Sequence, residues 1–154
     1  MERIEFISRS PSDTVDIAEY IGKSTRVGDL FLIHGELGAG KTQFVKGLAK
    51  GLGVPDWEYV VSPTFTLLTT YAGTCSLCHA DLYRLESADA EDLGMEECLD
   101  EGVVAVEWAE KSPWQEKNAV RVSISLTGEE ERKIVLEVDD VGRAEVWRDF
   151  RCNA

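Results

Sequence analysis

The chain has 154 residues and a mass of 17.1 kDa, enough for one domain and too little for a second catalytic one. Its 44% hydrophobic content supplies an ordinary core, which excludes disorder and a disulfide-stapled scaffold. Lys and Arg number 16 against 29 Asp and Glu, and the resulting charge of −13 repels phosphate backbones and anionic headgroups, disfavouring strong direct binding of nucleic acid or membrane.

Charges interrupt the first six residues, and no apolar run reaches the roughly 18 residues of a membrane span, so a cytoplasmic protein without signal peptide is expected. Arg3 to Ser8 alternates as a short strand would. Ser10-Pro11-Ser12-Asp13 opens a helix with proline in its first turn; Val15, Ala18 and Ile21 give it an apolar face, and Gly22 stops it. Leu30 to Ile33 is continuously apolar, the mark of a strand covered on both faces of a largely parallel sheet. After glycine-rich sequence, Val45, Leu48, Ala49 and Leu52 form one face of a helix from Thr42 that ends at Gly51 or Gly53.

Phe65 to Tyr71 and Ser76 to Tyr83, with Gly73 between them, read as a hairpin. Ser87 to Leu99 is helical but poorly amphipathic, and Glu86 to Glu101 carries eight acids without one Lys or Arg. This acidic stretch is either a solvated face or a docking surface for a basic partner. Val103 to Val106 is a second buried strand, stopping at Glu107-Trp108. Ala119 to Leu126 and Arg132 to Val138 form a second hairpin through Gly128, and a short helix follows from Arg143.

Gly35-Glu36-Leu37-Gly38-Ala39-Gly40-Lys41-Thr42 matches G-x-x-x-x-G-K-[ST] between a buried strand and an amphipathic helix. Glycines let successive backbone N–H groups turn inward toward phosphate oxygens. Lys41 brings a positive charge to the β and γ phosphates, and the Thr42 hydroxyl can join a Mg²⁺ shell at the helix N-terminus. A nucleoside triphosphate with Mg²⁺ is therefore expected, the base being left open by the motif. The fold class that follows is α/β and P-loop NTPase-like: a mostly parallel sheet flanked by helices, with added antiparallel hairpins, as a single domain over residues 1–154.

Hydrolysis also needs a carboxylate near the metal and a group that orients water. Glu107 stands at the carboxyl end of a buried strand, where open α/β sheets bind ligands. Asp81 shares a strand face with His79 and Tyr83 in His79-Ala80-Asp81-Leu82-Tyr83. In Ser62-Pro63-Thr64-Phe65, Thr64 could supply a hydroxyl that senses the γ-phosphate; a proline turn opening a strand is an equal alternative. Cys75-Ser76-Leu77-Cys78-His79 matches the C-x-x-C-H pattern of c-type haem attachment. A haem is not expected, because no export signal is seen, the only methionines are Met1 and Met95, and a strand throws Cys75 and Cys78 to opposite faces. Zinc would need a fourth ligand, and Cys98 is the only nearby thiol.

The phosphate loop, Ser62-Pro63-Thr64-Phe65, His79-Ala80-Asp81-Leu82-Tyr83-Arg84-Leu85 and Glu107-Trp108, in this order and at these spacings, resemble the bacterial tRNA threonylcarbamoyladenosine biosynthesis ATPase family, TsaE. The resemblance spans Arg3 to Val138. It implies a small ATPase, taking ATP with Mg²⁺, whose hydrolysis supports the complex that transfers threonylcarbamoyl to an adenosine beside the tRNA anticodon, with tRNA reached only indirectly. Carried over by position, Lys41 and Thr42 match nucleotide and Mg²⁺ residues, Glu107 the metal-side carboxylate, Asp81 an acid required for activity, and Thr64 the nucleotide-sensing loop. Trp108 matches an aromatic beside the metal site. Arg132 and the Ser8 to Ser12 segment, including Ser10, fall near positions that approach the nucleotide. Glu36 stands where the family more often has Asp, and the Cys75/Cys78 pair is no part of the pattern. The rival readings are a small P-loop metabolite kinase and a nucleotide-dependent assembly module that barely hydrolyses ATP.

Overall fold

The computed structural model describes residues 1–36, 38–61, 68–82, 94–109 and 119–150. In chain order the elements are β1 (Glu2–Ser8), α1 (Pro11–Gly22), β2 (Leu30–Gly35), α2 (Lys41–Gly51), β3 (Leu68–Ala72), β4 (Ser76–Asp81), α3 (Met95–Glu101), β5 (Gly102–Glu107), β6 (Val120–Leu126), β7 (Arg132–Val138) and α4 (Val141–Arg148). The strands form one sheet in the order β1-β7-β6-β2-β5-β4-β3. Its middle, β6-β2-β5-β4, is parallel, while β1 and β7 at one side and β3 at the other pair antiparallel. This is the expected parallel sheet with hairpins added at its edges.

The strand patterns follow from how many faces are covered. All six residues of β5 are buried, as are the first four of β2, because both of their faces meet apolar layers. In β7 burial alternates from Ile134 to Val138, since only one face looks inward. One apolar layer joins Phe31, Ile33, Leu77, Val103 and Ala105 to α1, α2 and Trp147 of α4. The other joins Leu30, Leu32, Cys78, Ala80, Val104 and Val106 to Met95 of α3. No helix among the described residues is long and apolar enough to cross a membrane.

α1 begins where the sequence places it. The Ser10 side chain accepts the Asp13 N–H at 3.0 Å, and Asp13 in turn accepts the Arg9 N–H at 2.9 Å. α1 then lies so close on α2 that a Cβ at Gly47 would stand 2.4 Å from Ala18 Cβ and 2.5 Å from the Val15 carbonyl oxygen. Backbone cannot retreat from such an overlap cheaply. Gly47→Ala is therefore expected to destabilise the fold by about 1–3 kcal/mol despite alanine's better helix propensity, read as a lowered Tm. An unchanged or raised Tm would show that the two helices can separate freely.

Several expectations are refined. The second hairpin matches β6 and β7. The first is β3 and β4, shorter than expected, with residues 65–67 and Tyr83 outside the described residues. Of the acidic helix, α3 begins at Met95 and runs to Glu101, two residues past the expected end, while residues 87–93 lie outside the description. The last helix starts at Val141 rather than Arg143, because the Asp140 side chain accepts the Arg143 N–H and caps it there. Cys75 packs on the layer of α1 and α2, and Cys78 in the opposite layer, as the strand reading requires. Burial, with the Cys78 sulfur beside it, pushes the Cys98 thiol up to about 12, which makes it a packing group at neutral pH.

Candidate functional site

The loop from Gly35 to Gly40 joins the carboxyl end of β2 to the amino end of α2. Gly38 and Gly40 have φ of 81° and 105°, in the left-handed region where a side chain is strained. Nothing lies within 4 Å of where a Cβ would stand on either, so the loop's mouth is open. Gly40 is also the N-cap of α2 and makes no side-chain capping bond. A helix start without a side-chain cap, fronted by two such glycines, is a cradle suited to an anion. Leu37 lies outside the described residues.

Lys41 is buried, 5% exposed, an unusual place for an ammonium. Its Nζ donates to the carbonyls of Gly35 and Glu36, at 2.5 and 3.0 Å, and sits 3.9 Å from the centre of the Trp108 ring. The carbonyl of Glu36 also accepts the Ala39 N–H at 3.0 Å, closing the loop on itself. Trp108 adopts φ 59°, the one described non-glycine residue with positive φ. For a bulky residue that conformation is costly and persists only when its surroundings enforce it. Here it turns the chain directly after Glu107 and lays the indole against the lysine.

The parallel pairing of β5 with β2 and β4 brings the carboxylates to this loop. Glu107 is the register partner of Ile33 on one side and of Asp81 on the other, so the three residues share one face, that of α2. The Thr42 hydroxyl donates to Glu107, with both carboxylate oxygens at 3.2 Å. On the other side of the same carboxylate, His79 Nε2 lies 2.5 Å from Oε2. Glu107 is 3% exposed and His79 fully buried. The period-two reading put His79 and Asp81 on one face but did not foresee His79 meeting Glu107. The signal was present in retrospect: β4 opposes β5, and Ala105, the register partner of His79, is small enough to let an imidazole reach past it.

Ser10 and Arg132 flank the loop on its other side. Arg132 Nε donates to the Ala39 carbonyl at 3.1 Å, which ties the loop to the start of β7. Together with Pro11, Thr14, Gln43, Glu129 and Glu130, they and the loop glycines line a cleft of about 290 Å³. A second cleft, of about 450 Å³, lies across the loop between His34, Glu36, Trp108 and β6. Both fall within or near the size range of small-molecule sites. Ser10 contributes its hydroxyl first to capping α1, and Arg132 its guanidinium first to the loop backbone. Thr64 lies outside the described residues.

Of the expected site residues, the fold therefore gathers Glu36, Gly38, Ala39, Gly40, Lys41, Thr42 and Glu107 at the end of β2. Asp81 stands one strand away on the same face, and Ser10 and Arg132 at the flank.

Comparison with known proteins identifies the family. The family model for the threonylcarbamoyl adenosine biosynthesis protein TsaE matches residues 8–134. A relative from Treponema pallidum, named tRNA threonylcarbamoyladenosine biosynthesis protein TsaE, is 40% identical over 84% of this chain and 97% of its own length. A Bacillus subtilis protein of the same name is 39% identical over 87% of this chain and 85% of its own. The crystal structure of Bacillus subtilis YdiB superimposes with a TM-score of 0.71 and 30% identity, covering 95% of this chain and 91% of that one. With its sequence, its fold and its ordered motifs in agreement, the chain belongs to the TsaE family of threonylcarbamoyl adenosine biosynthesis proteins.

Proposed function

We propose that this protein is a Mg²⁺-dependent ATP hydrolase that supports tRNA threonylcarbamoyladenosine biosynthesis by acting, in its ATP-bound form, on the protein complex that transfers the threonylcarbamoyl group. One observation carries the nucleotide reading: the hydroxyl of Thr42, at the first turn of an uncapped helix, meets the carboxylate of Glu107, 65 residues away and at the end of a neighbouring strand. Mg²⁺ keeps several waters and commonly takes only one or two carboxylates beside substrate phosphates, so a hydroxyl and a carboxylate at the mouth of a phosphate loop form a suitable donor set. MgATP, when bound, supplies the phosphoanhydride to be cleaved and the divalent charge that steadies its oxygens.

The chain's own residues divide the remaining tasks. The loop backbone and the start of α2 would hold the phosphates, and the Lys41 ammonium, which lies on the carbonyls of Gly35 and Glu36, would supply positive charge to them. Without nucleotide, Trp108 shares that ammonium with the two carbonyls through its ring face. Glu107 and Thr42 hold the metal side. Asp81, one strand further along the same face, is the group left to orient water. Arg132 fixes the carbonyl of Ala39 and so the shape of the loop.

The charge of −13 favours reaching tRNA through a protein partner, since the chain gains little from counterion release. A partner's Lys or Arg can meet the acids of Glu86 to Glu101, and such complementarity mainly speeds encounter. Retention of the chain on the threonylcarbamoyl-transfer complex with and without ATP, followed by ATPase assay of that complex, tests the proposal. ATP-dependent retention with stimulated hydrolysis is expected, together with no salt-sensitive binding of isolated tRNA. Retention indifferent to nucleotide, or tight tRNA binding by the purified chain, would overturn it in favour of a metabolite kinase.

Thr42→Ala separates metal from nucleotide within this scheme. It is expected to weaken Mg²⁺-dependent ATP binding while sparing most affinity measured in EDTA. Equal loss in both titrations would place Thr42 outside the metal shell.

A further inference from the structure

We propose that His79 is a positioning residue whose Nε2–H holds the Glu107 carboxylate in the orientation that meets Thr42 and, on the nucleotide reading above, Mg²⁺. A buried carboxylate is costly unless its oxygens are met by donors, and Glu107 is 3% exposed. Thr42 approaches it from the loop, and His79 from the strand on its other side. In this assignment the imidazole donates and the carboxylate accepts, so the proton in the His79 to Glu107 contact is the one carried on Nε2. Held from two directions, the carboxylate cannot turn about its last torsion, and its distance to Thr42 is fixed before any ligand arrives.

The surroundings of the imidazole fit this role better than plain core packing. Its register partner is Ala105, which leaves a lane along β5 toward Glu107, two residues on. Its Nδ1 is buried and finds no hydrogen-bond partner among the described residues. An orphaned buried nitrogen is a penalty that a purely structural residue would avoid, and an apolar side chain would fill the layer beneath α2 without it. A Lys or Arg in this place would bring a fixed charge that competes with a cation for the carboxylate. The imidazole offers a directional donor instead, the kind of outer partner that commonly orients a metal-ligating carboxylate.

Two variants and one spectrum test this. His79→Phe keeps the ring and removes the N–H, whereas His79→Gln keeps an N–H at similar reach. In His79→Phe the Mg²⁺ concentration for half-maximal ATP binding is expected to rise by about 10–100-fold, with affinity in EDTA unchanged within about twofold. His79→Gln is expected to restore most of the Mg²⁺ dependence. Unchanged Mg²⁺ dependence in a folded His79→Phe, equal losses with and without Mg²⁺, or a folded His79→Gln no better than Phe would each overturn the proposal.

Nitrogen-15 spectra of the nucleotide-free wild-type chain need neither variant to fold, and only two histidines have to be assigned. A slowly exchanging proton on Nε2 of His79, perturbed by Glu107→Gln, is expected; a proton carried on Nδ1 alone overturns the proposal. If the wild-type chain shows that Nε2 proton yet binds no ATP, the nucleotide reading fails, and the metal half of this proposal fails with it. The hold on Glu107 would still stand.

Discussion

Lys41→Ala is expected to lower ATP affinity by about 10- to 150-fold, because a hydrogen bond to a charged group contributes roughly 1.5–3 kcal/mol and each 1.4 kcal/mol is tenfold. The variant should remain folded. Lys41 belongs to neither apolar layer, and the carbonyls of Gly35 and Glu36 that it now holds lie at the loop mouth, where water can replace it. The same substitution removes the ammonium from the face of Trp108. Tryptophan emission of the nucleotide-free chain should therefore change in Lys41→Ala, and the further change on adding ATP should be lost. Isothermal titration together with thermal melting separates the outcomes. Wild-type affinity in a folded Lys41→Ala would remove the P-loop reading altogether.

Glu107→Gln and Asp81→Asn are expected to fail in different ways although the two residues are register partners on adjacent strands. In Glu107→Gln the amide presents one acceptor where the carboxylate presented two, so Thr42 and His79 compete for it, and the charge facing a cation is gone. Apparent Mg²⁺ affinity should fall by at least the roughly 10–100-fold that even indirect partners of a metal carry. Asp81→Asn should bind MgATP normally and lose turnover by about 100-fold or more, the usual contribution of a positioned acid or base. Mg²⁺ titrations of binding and single-turnover hydrolysis on both variants decide the matter. Identical defects with identical metal dependence would refute the division of roles. A swap of the two defects would exchange the roles and leave the site intact.

The phosphate loop was legible from the sequence because its requirements are local. A tight turn needs glycine at positive φ, a helix start leaves its N–H groups open, and the lysine and hydroxyl follow at fixed offsets; all of these sit within eight consecutive residues. Central and edge strands were legible for a similar reason, since continuous burial in β2 and β5 and alternation in β7 are written directly into residue order. Glu107 could be read as a strand-end carboxylate, and His79 with Asp81 as one face, from periodicity alone.

What periodicity could not supply was which strand lies beside which, and at what register. Only the order β2-β5-β4 puts Glu107 between Thr42 and His79, and only the register that pairs Asp81 with Glu107 makes them neighbours. A shift of one residue would have turned either side chain to the opposite layer. The approach of α1 to α2 at Gly47, the grip of Arg132 on Ala39 and the positive φ of Trp108 are equally products of distant segments meeting. Propensity and motif spacing act over a few residues, so the local chemistry of this protein is written into residue order. The tertiary structure decided how that chemistry is assembled, because the contacts that join loop, carboxylate and imidazole depend on burial of a shared core and span tens of residues of chain.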